Sequence, residues 1–288
     1  MNSYHVKRKR NIEKGIKINE GLCAEIFEWE DRHKIIKLAK NINSHHDMQL
    51  EYLNSQVAWN NGVPIPQPFE LIYIDGRPGI VSERIYGTTL MQYFQRQWIN
   101  NTLGKNDVMQ FSHKEIAQMT ARMLYKTHNV SVENMPSQRD TITNAIKHAK
   151  HLTASELESV VNMLNSIPKK QQLCHGDLNL NNIMIRNNEA ILIDWMHASM
   201  GNPAADLAEF ILMIKYGELP LKDPIREIII ETLIDEYTKL SNITLKMIDN
   251  WMLPVAVRRR SLGILPFVEK RKLSAEIRER LKKYTSIK

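Results

Sequence analysis

The sequence is short of everything that would staple it, embed it or make it repetitive. Its 288 residues include two cysteines, Cys23 and Cys174, far apart and each in an apolar context. That excludes a disulfide framework and a cysteine-built zinc site. No stretch approaches the roughly 18–20 consecutive apolar residues of a membrane-spanning helix, and the basic run Lys7–Arg10 is not followed by the apolar segment of a secretory signal. A reducing cytoplasm is the expected compartment, with no membrane partner. Aromatic residues make up 7%, and no aromatic-interleaved platform accompanies the basic clusters at Lys7–Arg10, Arg258–Arg260 and Lys270–Lys272. The formal charge of +7 therefore reads as solvated faces and not as a nucleic-acid contact. No internal repeat or low-complexity tract interrupts the chain. What remains, 43% hydrophobic and 25% charged residues, is ordinary globular composition. At about 150 residues per domain the length suggests two domains or lobes.

The chemistry concentrates in Leu173–Trp195, which reads L-C-H-G-D-L-N-L-N-N-I-M-I and then, after a second apolar run, I-D-W. Asp177 lies five residues before Asn182, and Asp194 twelve after it. The apolar runs Ile183–Ile185 and Ile191–Ile193 read as two strands of a hairpin turning at Asn187-Asn188. Such a hairpin brings Asn182, at the mouth of its first strand, and Asp194, just past its second, to one end of the ribbon. A carboxylate and an amide oxygen held together suit Mg²⁺, a hard cation that completes its octahedron with water and phosphate oxygens. Asp177 falls on the loop before the first strand, where a carboxylate can accept the proton of a hydroxyl as it is phosphorylated. Taken alone, H-G-D is also compatible with a plain turn, with His175 satisfied in the core and Asp194 capping a strand. The addition of Asn182 and two strands at these intervals favours the phosphoryl-transfer reading.

Around these residues the chain resembles the aminoglycoside-phosphotransferase and choline-kinase branch of the protein-kinase-like fold. The family loop H-G-D-x-x-x-x-N is matched by His175–Asn182, and its I-D-W/F/Y motif by Ile193–Trp195. Protein kinases instead carry H-R-D and D-F-G, whereas this chain has Gly176 and Trp195-Met196 there, with no A-P-E-like segment after Asp194. Further on, G-N-P-A-A-D-L-A-E-F resembles the family's G-x-P-x-x-D-L-A, which implies that Asp206 braces the catalytic loop. His175 is expected to support it, and His128 to pack or brace and not to catalyse. The resemblance covers about residues 15–215. It implies an α+β, two-lobed protein-kinase-like fold: a small antiparallel β-sheet N-lobe over 1–86 and a mainly helical C-lobe over 87–288.

Strand-like alternation runs from Lys17 to Leu38 through a polar turn at Glu30–His33. Gly21 is the only glycine between the first two strands, where a loop covering phosphates needs close backbone approach; Leu22 and Cys23 depart from the family's small or polar residues. The resemblance makes Lys37 the phosphate-binding lysine, with Lys34 and Lys40 as competitors, and Glu51 its partner on a helix over Ser44–Asn61 stopped by Gly62. Strands over Phe69–Ile74 and Ile80–Arg84 follow the Pro64, Pro66, Pro68 run, joined by D-G-R-P. Glu83 and Ile85 sit where the family hinge offers backbone groups to a purine. Capping boxes at Ser112–Glu115 and Thr153–Glu156 open helices, and several helices are expected over Leu221–Lys288, separated near Ser241–Thr244 and at Pro254. The function implied is Mg²⁺-dependent transfer of the γ-phosphate of ATP or GTP to a hydroxyl of a small molecule. The acceptor stays open among aminoglycosides, macrolides, choline or ethanolamine, amino acids and sugars. Glu209, Glu218, Asp223, Glu227, Glu231, Asp235 and Glu236 form either an acidic acceptor wall or a solvated face. A non-catalytic nucleotide-binding pseudokinase is the contrasting reading.

Overall fold

Period-two alternation over the first third of the chain builds a sheet in the computed structural model, which describes residues 7–8, 15–30, 32–104 and 110–285. Lys9 and Arg10 of the basic run, and Asp31 of the turn at Glu30–His33, lie outside the described residues. The strands are β1 (Lys7–Arg8), β2 (Lys17–Glu20), β3 (Ala24–Trp29), β4 (Lys34–Ala39), β5 (Pro68–Ile74) and β6 (Arg77–Glu83). They are ordered β1-β5-β6-β4-β3-β2 and antiparallel except for the short β1–β5 edge pairing. The alternation of β4 turns Ile36 and Leu38 into a core with Trp29, Ile72 and Val81, and leaves Lys37 on the opposite face. Between β4 and β5 runs α1 (His45–Asn60), followed by Gly62 at φ 74°, a left-handed stop that glycine accepts without strain. The β5–β6 turn is Asp75-Gly76, both at positive φ, so Arg77-Pro78 belongs to the second strand and not to the turn.

From Leu90 the chain is mainly helical: α2 (Leu90–Thr102), α3 (His113–His128), α4 (Gln138–Lys147) and α5 (Ala154–Ser166). Complete capping boxes open α2, α3 and α5 at Thr89, Ser112 and Thr153. Then come β7 (Gln172–Cys174), β8 (Ile183–Arg186), β9 (Glu189–Leu192), a 3₁₀ turn at Trp195–His197 and β10 (Ser199–Gly201). The remaining helices are α6 (Pro203–Tyr216), α7 (Asp223–Leu240), α8 (Leu245–Arg260) and α9 (Phe267–Thr285). Helix α6 is buried on every side from Pro203 to Ile214, the signature of a helix at the centre of a core. It packs against α7, α8 and α9. The break expected at Pro254 does not occur: Pro254 sits inside α8, and the chain turns instead after Arg260. Its neighbours Met252, Leu253, Val255, Ala256 and Val257 are all buried, so packing outweighs the one backbone hydrogen bond that proline removes.

Two lobes result, the sheet with α1 on one side and the helical body on the other. They meet where Leu192 N–H donates to Pro64 O at 3.1 Å and where α1 touches the Trp195–His197 turn. Among the described residues no helix is long and apolar enough to cross a membrane.

Candidate active site

The hairpin of β8 and β9 turns at Asn187 and Asn188, both at positive φ (50° and 63°). Two consecutive left-handed residues give the tight turn whose twist matches an antiparallel ribbon, and asparagine tolerates that conformation. Ile183 then faces Leu192, and Ile193 N–H donates to Asn182 O at 3.0 Å. Asn182 and Asp194 are thereby brought to one end of the ribbon. Asp194 itself takes φ 65°, which swings its carboxylate out of the strand line toward the sheet lobe.

There Lys37 Nζ donates to Asp194 Oδ1 at 3.1 Å and to both Glu51 oxygens at 2.7 and 2.8 Å. The competing lysines are engaged elsewhere, Lys34 with Glu30 at 2.8 Å and Lys40 with Glu20 at 2.5 Å. Burial opposes the Lys37 charge, but Glu51 and Asp194 outweigh it and hold the ammonium above its usual pKa. Burial likewise works to raise Asp194, and Lys37 overrides it, so this carboxylate lies below its ordinary range. Glu51 is pushed up by burial and by the Asp194 charge, against the pull of Lys37.

Asn54, one helical turn after Glu51, donates from Nδ2 to Trp195 O at 2.9 Å. One face of α1 therefore holds both the lysine and the segment that carries Asp194. Asn54 was not singled out in the sequence, although its three-residue spacing from Glu51 places it on the same face.

On the loop, Asn182 Nδ2 donates to Asp177 O and to Asp177 Oδ2, both at 3.0 Å, and Asn179 Nδ2 donates to the same carboxylate at 3.2 Å. Both neighbours of the Asn182 amide nitrogen are acceptors, which fixes the orientation of the carboxamide and leaves Oδ1 facing away from Asp177. His175 Nε2 lies 3.0 Å from Ile193 O; a carbonyl only accepts, so Nε2 carries the hydrogen. The imidazole meets Trp195 edge to face, centroids 4.9 Å apart. Asp206, at the start of α6, accepts from the N–H groups of His175 (2.6 Å) and Gly176 (3.2 Å) and faces His128 Nε2 at 3.2 Å. His128 Nδ1 is 2.9 Å from the Tyr237 hydroxyl. Burial works against the Asp206 charge, but these hydrogen bonds and His128 hold its pKa below the usual value. His128 and Asp206 are thus built into the support of the loop.

At the other sequence-predicted positions the geometry is less specific. Gly21 caps the β2–β3 loop, its N–H donating to Ala24 O at 2.9 Å; a Cβ there would meet only that oxygen, at 3.8 Å. The protein's own packing does not demand glycine, and the space above the loop is open. Glu83 N–H donates to Gln67 O at 2.9 Å, and its carboxylate pairs with Arg186, so its N–H is not available to a ligand. Ile85 makes no backbone hydrogen bond among the described residues.

The acidic series divides. Glu218, Asp223, Glu227, Glu231 and Asp235 are exposed, Glu236 pairs with Arg122, and Glu209 alone is buried, beside the His175–Asn182 loop. No acidic wall is assembled from these helices. The Arg258–Arg260 cluster is likewise no surface patch, since Arg258 and Arg259 are spent on the buried carboxylates Glu209 and Glu269.

A lysine clamped between a helix carboxylate and an aspartate at a hairpin end, beside a second aspartate on an asparagine-braced loop, sits here in a two-lobed fold of the protein-kinase-like class. The chain belongs to the phosphotransferase enzyme family, whose model matches residues 26–240. A curated relative, the protein LicA homolog of Metamycoplasma hominis, is 24% identical over 193 residues, covering 67% of this chain and 70% of its own. Among solved structures, the aminoglycoside phosphotransferase APH(4)-Ia superposes with a TM-score of 0.64 at 14% identity, over 93% of this chain and 92% of that one. The amicoumacin kinase hAmiN superposes at 0.63 and 13% identity, over 96% and 90%. Solved APH(4)-Ia complexes contain hygromycin B with ADP or AMP-PNP. At these identities the superpositions establish the shared fold.

Proposed function

We propose that this protein transfers the γ-phosphate of ATP or GTP, with Mg²⁺, to a hydroxyl of a small molecule, in the manner of the aminoglycoside phosphotransferases. The observation that carries the reading is the continuous array from Glu51 through Lys37 to Asp194, set beside the Asp177–Asn182 pair. In this reading the nucleotide lies between the lobes. The Gly21 loop covers its phosphates, Lys37 binds them with Glu51 as its partner, and the segment at Glu83 and Ile85 holds the purine through backbone groups other than the Glu83 N–H. The lobe boundary is placed at residues 86 and 87.

The oxygen set suits Mg²⁺: the ionised Asp194 carboxylate, its side chain 38% exposed, and the Asn182 carboxamide oxygen, turned away from Asp177, are hard donors of the kind the ion takes alongside water and phosphate oxygens. When bound, the metal neutralises charge on the transferring phosphate. Asp177, its carboxylate aimed by Asn179 and Asn182, accepts the proton of the acceptor hydroxyl. Trp195 and His175 keep this loop packed, so alignment is built in before any ligand arrives.

The acceptor class is a second part of the proposal: an aminoglycoside-type alcohol first, with choline or ethanolamine, an amino acid or a sugar as alternatives. The test is nucleotide consumption with Mg²⁺ across such a panel, with Asp177→Asn as the blank. Acceptor-dependent turnover in the parent that falls by about 10³-fold in the variant, the order for a lost general base, while nucleotide binding persists, is the expected result. Nucleotide binding with no turnover on any acceptor would point to the non-catalytic reading.

A further inference from the structure

Gly176, the residue before Asp177, adopts φ 76°, and a Cβ there would lie 2.3 Å from His197 O. Only glycine fits, and a glycine has no side chain by which packing can orient it, so its peptide hydrogen bonds decide where the next residue points. Its N–H side is taken by Asp206. Its carbonyl accepts from Arg258 Nη2 at 2.6 Å, and the Nη1 of the same guanidinium donates to Glu209 Oε2 at 2.8 Å. Asp206 and Glu209 are three residues apart on α6 and so share a face. One carboxylate grips the loop directly, and the other grips it through an arginine contributed by the last turn of α8.

This pair is costly to bury. The Arg258 side chain is 13% exposed and that of Glu209 2%, and Glu209 Oε1 has no hydrogen-bond partner among the described residues. A buried ion pair with one oxygen unsatisfied is at best neutral for stability compared with apolar packing. Its geometry, by contrast, is suited to fixing a backbone carbonyl, since a planar guanidinium reaches two acceptors at once and an ammonium holds no such fork. We propose that Arg258, held by Glu209, is a positioning residue that clamps Gly176 O and thereby sets the direction of the Asp177 carboxylate. The inference rests on the phosphotransferase reading above, which assigns Asp177 its role.

Three variants test it: Arg258→Met, Arg258→Lys, and Arg258→Met combined with Glu209→Gln. Arg258→Met strands the Glu209 charge and destabilises for that reason alone, so the double variant carries the argument. It removes the stranded charge without restoring the clamp. The expected outcome is a melting temperature returned toward the parent, kcat still reduced by about 100-fold as for a misplaced catalytic group, and an unchanged nucleotide KM. Arg258→Lys recovers kcat only in part. Recovery of kcat together with melting temperature in the double variant overturns the proposal, because the arginine would then serve only to neutralise Glu209.

Amide hydrogen exchange across Cys174–Leu178 reads the clamp without turnover. Exchange is expected to be faster in the double variant, and unchanged exchange overturns the proposal. A parent protein inactive on every acceptor, with loop exchange still faster in the double variant, counts against the phosphotransferase reading and leaves the clamp standing.

Discussion

Two clusters of charge flank the cleft, and they are built differently. On the sheet side, Lys37, Glu51 and Asp194 bond almost entirely to one another, with Lys37 23% and Asp194 38% exposed at the side chain. On the helical side, Asp206 and Arg258 bond to backbone, gripping His175 and Gly176, and the buried Glu209 holds Arg258. Side chains that bond only to each other near solvent can regroup around a polyanion and a cation. Side chains bonded to backbone in the core cannot move without moving the chain. The first cluster is suited to binding and neutralising, and the second to holding a loop in one shape.

Breaking the sheet-side cluster is expected to damage turnover most. Asp194→Asn should abolish Mg²⁺-dependent nucleotide binding and lower turnover by about 10²–10³-fold, the range for loss of a preorganised electrostatic group. Titrating Mg²⁺ against nucleotide binding in the two proteins checks this, and binding of parent strength in the variant would remove Asp194 from the metal site. Lys37→Met should follow at about 100-fold, seen as a rise in nucleotide KM, together with a lower melting temperature because the buried Glu51 carboxylate loses its counter-ion.

The helical-side cluster should show the reverse balance. Gly176→Ala forces a Cβ into a left-handed backbone, which alone costs about 1–2 kcal/mol, and against His197 O; thermal denaturation should register that loss before any kinetic assay does. A melting temperature equal to the parent's would mean the loop relaxes freely. Acid sensitivity sharpens the contrast further. The folded-state pKa of Asp206 is depressed, so its contribution is fully present above the unfolded carboxylate value of about 3.9. It is lost as pH falls through the lower folded value. Asp206→Asn should be less stable than the parent at neutral pH, with the gap closing below about pH 4, as followed by denaturant melts across pH. Smallest of all, Thr153→Ala at the distant start of α5 removes a helix cap worth about 1 kcal/mol and should leave kcat and KM untouched.

The sheet-side arrangement was legible in the sequence because its parts are local or periodic. A hairpin at Asn187-Asn188 brings Asn182 and Asp194 together over a dozen residues, and β4 alternation puts Lys37 on the face opposite its core. Lys37 was preferred over Lys34 and Lys40 from its place in the strand and from the family resemblance, and α1, packed across the sheet, brings Glu51 to that lysine. Acidic residues along α6 and α7 looked alike in sequence, and burial separated Glu209 from the rest. Pro254 read as a break because local rules forbid it in a helix, and the packing of its neighbours overrode the rule.

By itself, the sequence determined the class of fold, the spacing of Asp177, Asn182 and Asp194, and the absence of disulfides or an apolar span. Composition, motif spacing and the two periodicities of helix and strand suffice for those, the class of fold coming through the family resemblance that the motifs carry. Only the tertiary structure decided that Arg258 reaches Gly176 across 82 positions, that Asn54 holds Trp195, and that Glu209 is sealed inside. Such contacts arise from how α1, α6 and α8 pack around one loop. No local pattern encodes them, because the free energy that fixes them is the burial of whole helix faces and not the residues that happen to meet there.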